Sequence, residues 1–240
     1  MVQRTFYWVF RGLPKRRVML PQFFQIGVET IPVVVLTGAF TGMVLAVQTY
    51  YQFRKLGMET MIGPVVFMAV VQQLGPVLTA VMLAGRVGAS ITAQLGTMAV
   101  TEQIDAMKTL GLDPIKYLVL PRFSAAVLLT PVLTLYSNAV GIMGGWMVAV
   151  YGYGVNSHYY WEKTLVYVTV FDIYAGLVKA LFFGAAVAII SCYKGFYTSG
   201  GAEGVGRATT SSTVLSFVSI LVLNLFLTIL LNMFQSLLFG

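Results

Sequence analysis

The 240-residue chain has few of the side chains on which most catalytic chemistry depends. It contains one cysteine, Cys192, and one histidine, His158, and only 10% of its residues are charged. A single cysteine excludes an intramolecular disulfide, and a histidine with no cysteine nearby argues against a metal site. The pattern Gly-x-x-x-x-Gly-Lys-Ser/Thr is absent, so the chain has no loop of the kind that cradles nucleotide phosphates. We therefore expect a non-catalytic chain without a cofactor or a metal, driven by a membrane gradient or by a partner protein.

Apolar side chains are abundant, and they occur in long runs. Hydrophobic residues make up 58% of the sequence and the mean hydropathy is +0.84. A hydrocarbon core about 30 Å thick needs roughly 20 helical residues. Strands are excluded because the alternation typical of barrel strands is missing and lipid offers no partner to backbone groups. The predicted fold class is all-α, a polytopic membrane protein whose permease domain (residues 31–240) has five transmembrane helices at residues 31–51, 61–83, 123–150, 165–190 and 214–238.

The basic residues are distributed unevenly around these five windows. Of the 15 Lys and Arg residues, eleven lie in the N-terminal tail or in the segments after the second and fourth windows. The other side has Arg54, Lys55 and Lys163, and Lys179 lies within the fourth window. By the positive-inside rule we expect a bacterial inner-membrane protein with its N-terminus in the cytoplasm and its C-terminus in the periplasm. This topology explains the net charge of +7, so nothing supports nucleic-acid binding.

Residues 1–30 form a separate basic and aromatic region. Phe6, Tyr7, Trp8 and Phe10 lie between two arginines at positions 4 and 11, and no apolar run is followed by a small-residue cleavage site. Aromatic side chains beside cations are typical of the headgroup layer. We predict an interfacial helix along the cytoplasmic face, and a mobile basic tail is the alternative.

A polar block at residues 84–122 separates the second and third windows. Its centre predicts a short amphipathic helix over residues 102–110: Thr101 can cap it, Glu102 and Asp105 place negative charge at its N-terminal end, and Gly111 can end it. A helix of nine or ten residues is marginal alone in water. It must therefore pack onto the protein's own surface or into a partner's groove, and the pattern alone leaves both open.

Two glycine patterns have competing explanations. Gly38 and Gly42 form a GxxxG face that suits close helix contact, either between two copies of the chain or within one. The glycine run at residues 200–206 follows an apolar window rather than a strand, so a cytoplasmic turn is favoured over a phosphate-binding loop.

The fourth window contains two ionisable residues, Asp172 and Lys179. A charge at membrane depth costs about 2.5–3.5 kcal/mol on insertion scales, and such residues are functional candidates by default. Their separation is about 10.5 Å along a helix, so direct pairing would need an extended lysine. Three roles for Lys179 remain open: it neutralises a lipid phosphate, it bonds to another helix, or it relays protons with Asp172.

Several motifs in order resemble one family. The chain resembles the MlaE-type permeases, the membrane subunits of ABC transporters that move phospholipid with a partner carrying an MCE domain. The residues that carry the resemblance are 84–89 (AGRVGA), 95–98 (LGTM), 100–106 (VTEQIDA) and 204–210 (GVGRATT), with 42–45 (GMVL) and 74–77 (LGPV) fitting as well.

The resemblance implies a set of partners and a function. Two permeases would pair as a homodimer, two cytoplasmic ABC ATPase subunits would bind beneath them, and a ring of MCE-domain proteins, expected to be hexameric, would sit on the far side. A small cytoplasmic STAS-domain subunit is a further candidate partner. The implied function is the movement of phospholipid between the inner membrane and the MCE-domain partner, which maintains outer-membrane lipid asymmetry, with ATP hydrolysis in a separate chain.

The resemblance also assigns roles to residues. The short helix would be a coupling helix seated in the ATPase groove, formed by Thr101, Glu102, Gln103, Ile104, Asp105, Met107 and Lys108. Gly85, Arg86 and Gly88 would form a tight turn below the second span, with Arg86 either anchored to headgroups or backbone carbonyls or simply snorkelling to the interface. Further motif residues are Asp172, Gly204, Gly206 and Arg207.

The implied lipid site lies between the two permeases. The matching positions, mostly apolar as an acyl-chain site should be, could equally serve ordinary helix packing. The family often has a glutamate where this chain has Gln73, and a second where it has Gln94, which puts in doubt any mechanism that needs a carboxylate there. We predict that Gln73 lines the cavity. The full set is Leu45, Gln48, Phe53, Leu56, Gln73, Leu74, Val77 and Lys179.

Two other classes of function compete with this one. An ion-coupled secondary transporter of an amphiphile would use Asp172 and Lys179, and it predicts inverted repeats, which the sequence lacks, and activity without an ATPase. A non-transporting scaffold would leave the cavity residues without a function.

Overall fold

The computed structural model describes residues 5, 7, 8 and 16–239, and no strand occurs among them. The all-α prediction is therefore confirmed for the described residues. The α-helices are α1 (Arg16–Ile26), α2 (Ile31–Arg54), α3 (Ile62–Ala69), α4 (Gly75–Leu83), α5 (Ala89–Val100), α6 (Gln103–Thr109), α7 (Leu120–Met147), α8 (Ser157–Tyr167), α9 (Val170–Phe196) and α10 (Gly201–Phe239). Short 3-10 turns occupy Val28–Thr30 and Glu59–Met61.

Part of the predicted N-terminal helix, at residues 1–4, 6 and 9–15, lies outside the described residues. Within residues 1–30 the structure describes α1 and the 3-10 turn that follows it, together with Thr5, Tyr7 and Trp8. Its interfacial position stays a prediction.

In the part of the chain that the structure describes, five helical segments are long and apolar enough to cross a membrane, as predicted. They are Val18–Arg54, Glu59–Val100, Ile115–Gly152, Val170–Phe196 and Gly201–Leu237. Most are longer than the predicted windows because helix continues through polar residues that hydropathy treats as boundaries. The predicted start of the fourth span at Leu165 is wrong. Leu165 belongs to α8, and Val168 has extended backbone that separates α8 from α9.

Among the described residues, four stretches of π-helix widen the long helices: Val70–Leu74, Ala84–Gly88, Ile115–Val119 and Val148–Gly152. The first lies just before Pro76, which has no backbone N–H to donate to the carbonyl of Gln72 four residues earlier. Pi-bulges are frequent at functional sites. This one places the polar pair Gln72 and Gln73 inside an otherwise apolar helix.

One compact unit comprises residues 1–30, 80–130 and 181–226. It contains eleven of the 15 basic residues. Its helices meet at small side chains: a Cβ at Gly88 would lie 2.8 Å from the Ser191 hydroxyl. The buried Thr92 hydroxyl lies 2.9 Å from that of Ser212 and 3.1 Å from the Ser191 carbonyl, which ties α5, α9 and α10 together.

The second unit comprises residues 31–79, 131–180 and 227–240. Its core is built from α2, α3, α7 and α8, and Ile62, Val66 and Tyr160 are among its buried side chains. Burial also raises the pKa of Tyr160 to about 12. Within this unit α2 crosses α7 with Gly42 directly on Gly141 and Gly38 on Ser137. The GxxxG face is therefore used for packing within one chain.

Candidate functional site

The polar block contains a short helix close to its predicted position. It was expected over residues 102–110 and is observed as α6, Gln103–Thr109. Its ends are fixed by two residues in the left-handed region, Glu102 with φ 59° and Gly111 with φ 74°. The prediction that Thr101 caps it is wrong: the Thr101 hydroxyl donates to the carbonyl of Thr97 and so closes the end of α5.

The two faces of α6 differ in burial. Ile104 is 4% exposed and Met107 is half-buried, whereas Leu110, just past the end, is 76% exposed. Asp105 and Lys108 form an exposed ion pair of 2.7 Å on the polar face. Ile104 therefore holds the helix to its own chain. The side chain of Leu110 and the Asp105–Lys108 pair remain exposed in the part of the chain that the structure describes.

A cavity of about 790 Å³ lies beside α6 within the same unit. Its walls come from α6, from the loop that follows it and from the C-terminal end of α9. The lining residues include Ile104, Asp105, Lys108, Leu112, Pro114 and Tyr197. Asp105 and Lys108 thus both line a concave surface that contains polar and apolar side chains.

The predicted tight turn below the second span is wrong. Gly85, Arg86 and Gly88 lie in the π-helical stretch Ala84–Gly88 of a continuous helix, because small residues permit a widened turn without breaking the helix. Only Gly88 makes a close approach, while the nearest atom to a Cβ at Gly85 would be 3.9 Å away, on Phe217. The segment outside helices between the second and third spans is correspondingly short, at residues 101–102 and 110–113.

The contacts of Arg86 are with side chains of the protein. Its guanidinium donates to the carboxylate of Glu29 and to the hydroxyl of Thr30, each at 2.7 Å. Both partners belong to the 3-10 turn before α2. Arg86 thus connects the helix that precedes α6 to the N-terminal region.

A second polar cluster lies around the first π-helical stretch. The carboxylate of Asp172 accepts from the side chain of Gln72 at 2.7 Å and from the backbone N–H and hydroxyl of Thr169. The ammonium of Lys179 donates to the carbonyl of Gln72 at 3.0 Å. This is the carbonyl that Pro76 cannot reach with an N–H.

Gln72 therefore connects the two ionisable residues of the fourth span. Asp172 and Lys179 are each only 2% exposed, and no direct ion pair between them occurs among the described residues. Of the three roles expected for Lys179, the bond to another helix is present. Sequence reasoning selected Gln73 and missed Gln72, although Pro76 four residues later could have pointed to that carbonyl.

The comparisons with known proteins agree with this architecture. The sequence model of the family described as "Permease MlaE" matches residues 19–230. The chain belongs to the MlaE permease family. It is 36% identical over 222 residues to the "Intermembrane phospholipid transport system permease protein MlaE" of Haemophilus influenzae, with 90% of this chain and 85% of the relative covered.

Two further relatives extend the comparison. A "Probable ABC transporter permease protein" of Rickettsia typhi is 47% identical over 214 residues, which cover 89% of this chain and 83% of the relative. The chloroplastic "Protein TRIGALACTOSYLDIACYLGLYCEROL 1" of Arabidopsis thaliana is 37% identical over 214 residues, which cover 89% of this chain and 61% of the relative. The chain is thus a multi-pass membrane permease subunit of the ABC-transporter type.

The residues predicted to contact lipid divide into three groups in this MlaE-family chain. Leu45 and Phe53 pack against the core of the second unit, which favours the packing alternative for them. Gln48 is exposed, on an α2 stripe shared with Phe40 and Val44, and Leu56 is 70% exposed in the loop after α2. The remaining candidates, Leu74 and Val77, are half-buried.

Gln73 is half-buried, and its amide lies 3.4 Å from the Thr228 hydroxyl of α10. Its place in a lipid cavity stays a prediction. The other position at which the chain differs from the family, Gln94, accepts at 3.0 Å from the guanidinium of Arg122. Arg122 is buried and also donates to the carbonyl of Leu118, a contact that the sequence did not suggest.

The glycine run before the fifth span is mostly helical, contrary to the predicted turn. Gly200 and Gly201 have positive φ values and make the turn, and α10 already contains Gly204 and Gly206. A Cβ at Gly204 would overlap the backbone of Ser199, whereas Gly206 has open space. Arg207 lies 3.9 Å from Glu203 on the exposed surface. A helix with this packing offers no phosphate loop.

Proposed function

We propose that this permease subunit moves phospholipid between the inner membrane and an MCE-domain partner, driven by ATP that a separate cytoplasmic chain hydrolyses. The relative in Haemophilus influenzae is named as part of an intermembrane phospholipid transport system. The absence of a nucleotide loop from the sequence supports an external ATPase.

The single observation that supports ATPase docking best is the construction of α6. A seven-residue helix is too short to be stable alone, yet left-handed residues fix both of its ends and Ile104 anchors it. Its charged pair and Leu110 remain exposed beside a cavity. Such a preformed edge suits a rigid coupling helix, with the groove of the ATPase as its partner.

The orientation and the pairing of two permeases are further parts of the proposal. The excess of basic residues in the unit that contains α6 supports a cytoplasmic position for it. Only 11% of the apolar window of α10 is buried within the chain, compared with 61% for the span that contains α7. We infer that α10 contributes to the contact between two copies.

The lipid path is proposed along the exposed stripe of α2. Gln48 is an exposed amide among exposed apolar side chains such as Phe40 and Val44. A polar group costs free energy in hydrocarbon unless a partner is present. A cavity between two copies that holds a lipid headgroup would supply that partner.

Charge reversal at Asp105 tests the docking of the ATPase. The Asp105–Lys108 pair is exposed, so its loss changes the stability of the permease by less than about 1 kcal/mol. A repulsive contact in the centre of an interface costs about 2 kcal/mol or more, which is roughly 30-fold in affinity. We expect Asp105→Lys to release the ATPase during co-purification while the permease unfolds at an unchanged temperature.

Glu162→Lys on α8 is the matched control, because Glu162 is also an exposed carboxylate on a short helix. It should leave the ATPase bound. Equal retention of the ATPase by the Asp105→Lys and wild-type permeases would contradict docking at α6. Lipid transport by the purified permease in vesicles without any ATPase would instead favour the ion-coupled transporter.

A further inference from the structure

The loop between α6 and the third span is organised around the carboxylate of Asp113. One oxygen, Oδ1, accepts from the backbone N–H of Ile115 at 3.0 Å. The Asp113 carbonyl accepts from the N–H groups of Lys116 and Tyr117. Asp113 thus fixes the start of the helix that leads into the third span.

The second carboxylate oxygen of Asp113 is bonded to a residue 105 positions earlier. The indole N–H of Trp8 donates to Oδ2 at 2.9 Å. The ammonium of Lys116 lies over the ring of Trp8, 4.3 Å from its centroid. Trp8 therefore makes a charge-assisted hydrogen bond at its edge and a cation–π contact at its face, both with residues that follow α6.

The N-terminal region also contacts the helix that precedes α6. The side chain of Gln25 donates to the Ser90 hydroxyl at 3.1 Å, and Glu29 pairs with Arg86 at 2.7 Å. Residues of the N-terminal region thus hold the chain on both sides of α6. All of these contacts lie within one compact unit.

We infer that Trp8 is a positioning residue for α6, which it fixes through Asp113 and Lys116. Fixing residues 110–116, which comprise the loop and the first residues of the third span, restricts the rotation of α6 relative to that span. Motion imposed on α6 by an ATPase then passes to the spans instead of being lost in the loop. The transmission step rests on the proposed function, whereas the ordering of the loop does not.

Hydrogen exchange of the purified permease tests the ordering of the loop. Trp8→Phe keeps a ring for Lys116 and removes the N–H donor, whereas Trp8→Ala removes both contacts. We expect amide exchange over residues 110–116 to rise about tenfold in Trp8→Phe, the effect of losing one hydrogen bond to a charged group, and further in Trp8→Ala, which also loses the cation–π contact. Trp161→Phe on α8, an exposed tryptophan of the other unit, is the matched control and should leave this exchange unchanged.

The complete transporter complex tests transmission. We expect Trp8→Ala to lower the number of lipids moved per ATP hydrolysed at least about threefold, with all subunits still bound. This effect is smaller than the expected change in amide exchange, because the other contacts of the N-terminal region remain. Lys116→Gln should lower the same ratio, and Lys116→Arg should restore it, since arginine keeps the cation–π contact.

Each outcome decides one step. Unchanged exchange over residues 110–116 in Trp8→Ala overturns the positioning role itself. Raised exchange with an unchanged ratio of lipid to ATP overturns the transmission role and leaves Trp8 as a stabilising contact. If no ATPase binds even the wild-type permease, the proposed function fails, and the exchange experiment still decides whether Trp8 orders the loop.

Discussion

Replacement of Gly42 by alanine tests the tightest helix crossing in the second unit. A Cβ at Gly42 would lie 2.8 Å from the Cα of Gly141 and closer still to its carbonyl. The obstacle is backbone, so no side-chain rotation can relieve it. The two helices must therefore separate for the substitution to be accommodated.

The magnitude follows from two opposing terms. Forcing an extra methyl group into a packed interface costs about 1–3 kcal/mol. Alanine gains about 0.8–1.0 kcal/mol over glycine in helix propensity. At Gly42 the steric term wins, and we expect the free energy of unfolding to fall by up to about 2 kcal/mol.

Gly85→Ala is the matched control, because the substitution is identical and the site is also helical. The nearest atom to its new Cβ would be 3.9 Å away, an ordinary van der Waals distance. Here only the propensity term remains, and we expect a gain of up to about 1 kcal/mol. The two variants should therefore differ in free energy of unfolding by up to about 3 kcal/mol, which is up to about 6–12 °C in unfolding temperature for a chain of this size, with the wild type between them.

Thermal unfolding in detergent, followed by tryptophan fluorescence, measures both variants under one set of conditions. The ranking matters more than the absolute values, since each detergent shifts them together. If Gly42→Ala unfolds at or above the temperature of Gly85→Ala, the crossing of α2 and α7 is not as close as described. The assignment of the GxxxG face to packing within one chain would then be wrong.

Two further predictions concern the membrane interior. Lys179→Met leaves the Gln72 carbonyl without its 3.0 Å donor, which costs about 1–3 kcal/mol. It also removes a charge whose insertion at that depth costs about 2.5–3.5 kcal/mol. Because the two effects oppose each other, the variant should assemble normally. Because Lys179 is 2% exposed and its ammonium is already bonded to the Gln72 carbonyl, we expect Lys179→Met to transport lipid at close to the wild-type rate; a loss of transport of about tenfold that Lys179→Arg does not show would instead support the phosphate role. In a Cys192→Ala background, a cysteine at the exposed Leu225 of α10 should cross-link two permeases, whereas one at the exposed Tyr174 of α9 should not. Cross-linking at both positions or at neither would argue against a contact between copies through α10.

Reading the sequence located the spans but not their ends. Hydropathy identified all five because lipid forces backbone groups into helices, so composition alone decides which segments span. The ends of the spans depend on breaks in the helix, such as the extended backbone at Val168. Hydropathy does not reveal this break, because the neighbouring side chains are apolar. For α6 the position was correct within a residue or two, but the capping residue was wrong, because Thr101 bonds back to Thr97 instead.

The sequence by itself determined the class of this protein: an all-α membrane permease subunit, with its polar segment between the second and third spans. These properties are local, since each depends on the composition and order of neighbouring residues. Only the tertiary structure decided that Gln72 rather than Gln73 links Asp172 to Lys179, that Gly88 rather than Gly85 makes a close contact, and that Trp8 reaches Asp113. Each of these depends on residues distant in sequence coming within about 3 Å, and the pattern along one helix does not specify which side chains of another helix will face it.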